Sequence, residues 1–200
     1  EALEEMKLAG SDRTVKETVQ DLVLAIGENM KIRRFVRTEG ISSSYIHMGG
    51  AVGVLVNFDT TDEVAATEEF KVMGKDVAMQ IAAMSPSYLD PAAVPADVLE
   101  HETEILKAQM KEDPKMANKP EQVLANIVKG KLGKYYKENC LLNQEFVKAE
   151  NHEDVAAYVA SVAKKIGGDI KVTGFTRYAK GEGIEKKEEN FAAEIASMVK

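Results

Sequence analysis

The side chains best able to make or break bonds are scarce in these 200 residues: three histidines and one cysteine. Nucleophilic catalysis of the serine or cysteine type needs a base, normally histidine, beside the nucleophile and a third group to orient it. His101 and His152 instead sit among acidic residues on helical stretches, and Glu100-His101-Glu102 places consecutive side chains on different helical faces. No His-Glu-x-x-His or other metal-ligand spacing occurs, so neither a hydrolytic site, a metal site nor a cofactor is expected. The cluster Gly49-Gly50-Ala51-Val52-Gly53 lacks the Lys-Ser or Lys-Thr pair of a phosphate-binding loop and reads as a tight turn entering a strand. Lys129, Lys131, Lys134 and Lys137 flank Tyr135 and Tyr136, a mixture that can hold single-stranded nucleic acid. A solvated helix face with the tyrosines in its seam is the simpler reading in so acidic a chain.

Recognition is the chemistry that remains. Lys31 to Glu39 alternates as a half-buried strand, with Ile32, Arg34 and Val36 opposite Arg33, Phe35 and Arg37. Gly40 to Ser44 has turn composition, and Val52 to Val56 is short and apolar enough for a buried strand. Between the two strand-like runs lie Tyr45 and a lone exposed histidine, His47, where rings project while the backbone is held. Such a turn can present a surface to a partner.

The surrounding elements follow from periodicity. Ala2 to Ala9 is a short helical pattern stopped by Gly10. Thr14 and Glu17 have capping-box spacing ahead of Val15, Val19, Leu22, Val23 and Ile26, one face of a helix ending at Gly27. A longer helix spans Asp62 to Met84, with Phe70, Met73, Val77, Ile81 and Met84 facing a core. Ser85 to Pro95 is a proline-rich connector, and the next helix opens with Pro95 as its first residue. Two helices, Pro95 to Lys111 and Glu121 to Lys137, form an antiparallel hairpin with thin seams that include Leu99, Leu106, Leu124, Ile127 and Tyr135. A hairpin that buries so little is expected to protrude as an arm or to pack on another subunit. Gln144 to Lys148 reads as a short strand, His152 to Ile166 as a helix, Asp169 to Ala179 as a strand and Lys187 to Lys200 as a terminal helix.

Composition sets limits on these readings. The chain carries a net charge of −7 and a pI near 5.2, which disfavours direct nucleic-acid or anionic-membrane binding. A single cysteine, Cys140, followed by two leucines, fits a reducing compartment and reads as a small buried apolar residue. No apolar run approaches the roughly 20 residues of a membrane span. The first residue is Glu rather than Met, as expected of a truncated chain.

The segments IGENMKIRRF (26–35), SSYIHMGGAVGVLV (43–56), DVAMQIAAMSPSYLDPAAVP (76–95), CLLNQEFVK (140–148) and GEGIEKKEENFAAEIASM (181–198) resemble, in order, the core of the bacterial elongation factor Ts family. The resemblance covers nearly everything from about Val15 onward. It implies a cytoplasmic guanine-nucleotide exchange factor that promotes GDP release from elongation factor Tu by binding its GDP-bound and nucleotide-free forms, without bond-making chemistry. It also implies that His47 meets the third domain of elongation factor Tu, within a binding surface of Tyr45, His47, Met48 and Gly49 together with Arg33 and Arg34. The FAAE helix, with Phe191 and Ile195, matches the C-terminal module that packs on the GTPase domain. The hairpin matches a coiled-coil or dimerisation module. One departure stands out. The family carries an upstream ubiquitin-associated-like domain and a Thr-Asp-Phe-Val segment that loosens nucleotide, whereas here the one Thr-Asp pair, Thr61-Asp62, continues Glu63-Val64.

The expectation is therefore an α+β protein: a small antiparallel sheet packed with helices, a helical-hairpin insertion and a C-terminal helix. Residues 1–29 are the remnant of a first core subdomain, 30–85 with 140–180 the core, 86–139 the hairpin, and 181–200 the C-terminal module. Such a chain should dock on elongation factor Tu but exchange nucleotide poorly. The alternative is a structural module that forms a homodimer through its hairpin.

Overall fold

The computed structural model describes residues 2–113 and 119–184. The chain divides into two units, Glu1–Arg37 and Thr38–Lys200.

In the first unit, α1 (Val15–Ile26) begins where the sequence predicts. The Thr14 hydroxyl accepts from the Glu17 amide at 3.2 Å, and the Thr14 amide donates to the Glu17 carboxylate at 2.8 Å. Two amides that the first helical turn would leave orphaned are thereby satisfied. The Thr14 amide first, and then the Thr14 hydroxyl, which donates to the Glu17 carboxylate at 3.2 Å, hold that carboxyl below the usual carboxylate range. Gly27, at φ 79°, closes the helix by donating to the Val23 carbonyl. The helix expected over Ala2 to Ala9 is absent. That stretch is a series of turns, and its backbone pairs with the approach to α1 through Leu8 N–H to Arg13 O and Val15 N–H to Met6 O, both 2.9 Å. Eight uncapped residues cannot offset helix nucleation, so the competing backbone bonds prevail. Lys31 to Glu39 also forms no strand. Phe35 on one face and Val36 on the other are 60% and 45% exposed, so neither face has the apolar cover that would hold the alternation flat.

The second unit is built on a three-stranded antiparallel sheet in the order β1 (Ile41–His47), β2 (Val52–Asp59), β3 (Lys171–Ala179). After β2 come α2 (Asp62–Ala65), α3 (Glu68–Met84), α4 (Ala96–Glu112), α5 (Glu121–Asn139) and α6 (Val155–Ile166). The mixed α+β class agrees with expectation. Alternate residues of β2, namely Val54, Val56 and Phe58, point into the core and meet Phe70, Met73, Val77 and Ile81 of α3, with Val155 and Val159 of α6 closing it. Phe58 and Phe70 pack edge to face with centroids 5.1 Å apart.

Four expectations are corrected here. Gly40 to Ser44 was expected to turn, yet β1 starts at Ile41. Ser43 is small because α3 crosses β1 closely: a Cβ at Gly74 would collide with its hydroxyl, whereas Ser42 and Ser44 lie on the exposed face. The Asp62 to Met84 helix is broken at Thr67, whose hydroxyl donates to Val64 O at 2.7 Å and accepts from the Phe70 amide, capping α3 afresh. Gln144 to Lys148 is not a strand either. A 3₁₀ turn at Leu141–Asn143 delivers Gln144 to the interior, where it and Gln80 are fully buried. Gln80 donates to Gln144 Oε1 (3.2 Å) and Glu145 O (3.1 Å) and accepts from Val147 N–H (2.9 Å), while Gln144 donates to Glu138 O (2.8 Å). The polar side chains replace a backbone ladder, which a reading of apolar alternation cannot detect. Pro95 caps α4 from outside rather than opening it.

Helices α4 and α5 form the expected hairpin. Met110 and Val128 are its buried side chains, and Leu99, Leu106, Leu124, Ile127 and Tyr135 are half-buried along the seam. Its two feet are stitched together: Ser87 and Tyr88 donate to Asn139 O at 2.9 and 3.0 Å, and Leu141 and Leu142 donate to Tyr88 O and Leu89 O at 2.9 and 3.0 Å. Cys140 lies at this junction, fully buried, and burial followed by the nearby Asp90 carboxylate pushes its thiol up. The terminal helix expected over Lys187 to Lys200 lies outside the described residues. Among the described residues no helix is long and apolar enough to cross a membrane.

Candidate partner-binding surface

β1 carries Ile41, Ser43, Tyr45 and His47 on the face that looks toward α3, as the period of two demands. Tyr45 is half-buried against the core opposite Val54, whereas His47, opposite Val52, has passed beyond the cover and is exposed. The Tyr45 hydroxyl and His47 Nδ1 are 3.1 Å apart, with tilted rings 5.8 Å apart. The pair is thus anchored at the tyrosine and open at the imidazole.

His47 is the last strand residue rather than part of the turn, a correction to the expected position. The turn itself is Met48-Gly49-Gly50-Ala51, closed by Ala51 N–H on Met48 O at 3.3 Å. Met48, Gly49 and Gly50 have φ of 48°, 63° and 102°. Left-handed backbone suits glycine but strains methionine. Met48 nonetheless holds that conformation and exposes 78% of its surface beside His47. Ile46 adds a second exposed apolar side chain, at 64%, on the opposite face of the strand. β3 braces the turn through Lys180 N–H on Ala51 O at 2.8 Å. A strained methionine, an isoleucine and a tethered imidazole on a rigid strand end make a surface suited to packing against another protein.

Residues 1–182 match the family model described as Elongation factor TS. The elongation factor Ts of Clostridium botulinum is 43% identical over 198 residues, covering 98% of this chain and 62% of that protein. The elongation factor Ts of Clostridium kluyveri is 43% identical over 202 aligned positions, covering 100% of this chain and 63% of that protein. The chain belongs to the elongation factor Ts family. It spans less than two thirds of the length of these curated relatives.

Within this elongation factor Ts family member, the structure brings Tyr45, His47, Met48 and Gly49 together at one end of the sheet. Arg33 and Arg34 belong to the first unit, in chain without strand structure, and Phe191 and Ile195 lie outside the described residues. Ile46 escaped the sequence reading because a strand was expected to end before it. A second polar cluster also escaped it. Asp76 of α3 accepts from Lys148 at 2.6 Å and from the Tyr158 hydroxyl at 3.1 Å, while Tyr158 stacks on Phe146 with centroids 4.0 Å apart. Burial, then the Asp76 carboxylate, raise the Tyr158 hydroxyl above its ordinary range. This cluster clamps α3, α6 and the segment after Leu141, and its members are far apart in sequence, so spacing gives no signal. Among the described residues no group of three or more His, Cys, Asp or Glu could hold a metal ion.

Proposed function

We propose that this chain docks on elongation factor Tu through the β1 end, Tyr45 to Gly49, and serves guanine-nucleotide exchange in translation in the cytoplasm. The observation that carries this reading is the exposed Tyr45–His47 pair on a fixed strand end, in a chain 43% identical to proteins named elongation factor Ts. Exchange needs no bond-making group. A protein that binds nucleotide-free GTPase more tightly than the GDP complex must weaken GDP affinity by the same factor. Arg33 and Arg34, and Phe191 with Ile195, are assigned to the same docking role by family resemblance. These 200 residues contain no Thr-Asp-Phe-Val segment, so on their own they dock but accelerate release poorly.

Release of a fluorescent GDP analogue from bacterial elongation factor Tu, run alongside a pull-down, tests this. Binding with slow release is the expected result. Release as fast as that produced by an intact factor would overturn the division of labour, and absence of binding would overturn the docking role.

A second reading is self-association through the α4–α5 hairpin, favoured by its seam, in which Leu99, Leu106, Leu124 and Ile127 remain only half-buried. A sedimentation coefficient independent of protein concentration would remove it.

A further inference from the structure

Oxidation of a thioether follows its exposure to solvent. Among the described residues Met48 is the most exposed methionine, at 78% against 60% for Met6 and 48% for Met84. Met73 and Met110 are buried, out of reach of a dissolved oxidant. Met48 also stands where the backbone disfavours a side chain: its φ of 48° opens the left-handed run that continues through Gly49 and Gly50. Glycine would fill the position with less strain, and leucine would offer a partner a similar apolar volume. What methionine adds there is a flexible thioether whose sulfur can be oxidised.

We propose that Met48 is an oxidation site, and that its conversion to the sulfoxide blocks docking at the β1 end. This rests on the docking role assigned above to Tyr45 to Gly49. The oxidant is a hydroperoxide. Its O–O bond breaks as one oxygen bonds to Met48 Sδ, and the sulfur gives up two electrons. The proton on the transferred oxygen passes to the departing one, which leaves as water when the oxidant is hydrogen peroxide. Two thiols acting through a sulfoxide reductase reverse the step, yielding a disulfide and water. The product is polar and chiral where the thioether was apolar, so an interface fitted to the thioether closes over an acceptor without a donor. Met48 lies on an exposed turn rather than in the core, so the change falls on recognition and leaves the fold intact.

Limited treatment of the whole chain with hydrogen peroxide, stopped with catalase, tests the assignment. Peptide mass spectrometry then follows each methionine, and titration calorimetry follows binding to untreated, nucleotide-free bacterial elongation factor Tu. Met48 should convert before Met6 and Met84, with Met73 and Met110 last. Affinity should fall roughly tenfold in step with Met48 conversion, the effect of one polar group buried without a partner, while Tm stays level. Methionine sulfoxide reductases with dithiothreitol should restore it. Met48→Leu, whatever its starting affinity, should bind the same before and after peroxide. His47→Ala reports on the underlying surface. If Met48 converts late, or peroxide leaves affinity unchanged or weakens Met48→Leu by the same factor, while His47→Ala is weakened, the role of Met48 is overturned and the docking surface stands. If neither peroxide nor His47→Ala weakens binding, or the unaltered chain does not bind, both fall. A loss of affinity that comes with a lowered Tm marks damage to the fold and overturns the assignment as well.

Discussion

The Tyr45 hydroxyl lies 3.1 Å from His47 Nδ1, joining two same-face side chains of β1 into one unit. Tyr45→Phe keeps the packing and removes the tether, freeing the imidazole to rotate. Affinity for elongation factor Tu should fall about three- to tenfold, the worth of one hydrogen bond at roughly 1 kcal/mol. His47→Ala should cost more, and Tyr45→Phe added to it should cost nothing further. Additive losses in that double-mutant cycle would show that the two residues act separately.

Met48 should trade stability for contact. Met48→Gly relieves the left-handed backbone and is expected to stabilise the chain by about 1 kcal/mol in urea unfolding. The same change removes the exposed thioether, so affinity for the partner should drop. A variant that gains stability and binds unchanged would remove Met48 from the surface.

The crossing of α3 over β1 tolerates no side chain at Gly74. Gly74→Ala pushes a methyl group onto Ser43 and should destabilise the fold by about 1–3 kcal/mol. Ser43→Ala removes the hydroxyl and should restore part of that loss, because the two Cβ positions still approach to 3.0 Å. Chemical denaturation of the two single variants and the double variant measures the coupling.

Gln80→Leu should be among the most damaging core changes, at about 2–4 kcal/mol, despite adding apolar surface. It removes the donor to the fully buried Gln144 Oε1, along with the part-buried bonds to Glu145 O and the Val147 amide, and a buried group without a partner carries its full desolvation cost. Hydrogen exchange should show residues 144–148 opening first.

The start of α1 should depend on pH. Its Glu17 carboxyl sits below the usual range because it accepts from Thr14, so it binds a proton less readily folded than unfolded. Its contribution is therefore present above the ordinary carboxylate pKa and lost as pH falls through the depressed folded value. Glu17→Gln, which can still reach the Thr14 amide, should flatten that dependence. Amide exchange at Thr14 followed from neutral to acid pH would show both behaviours.

Elements whose neighbours are local in sequence could be read directly from the chain. The Thr14–Glu17 box, the α3 stripe and the α4–α5 hairpin follow from caps and from a period of 3.6, and β2 from its apolar run. What escaped reading depends on distant partners. Ser43 looks like a turn residue until Gly74 is laid over it, and Gln144 looks like a strand residue until Gln80 donates to its side-chain carbonyl. The apparent strand over Lys31 to Glu39 fails for the opposite reason, since alternation specifies a face but not a partner. At the candidate surface, Tyr45 and His47 were visible as rings near a turn, while Ile46 needed the register of β1 against β2.

The stitched feet of the hairpin have an evolutionary meaning. Because the chain leaves at Tyr88 and returns beside it at Cys140, everything between is a detour whose ends already touch. Insertions or deletions in its outer part, away from Glu138 and Asn139 whose carbonyls serve Gln144 and the feet, leave the sheet and its helices undisturbed. Lineages are thus free to lengthen, shorten or repurpose the outer arm without moving the β1 end that carries Tyr45 and His47.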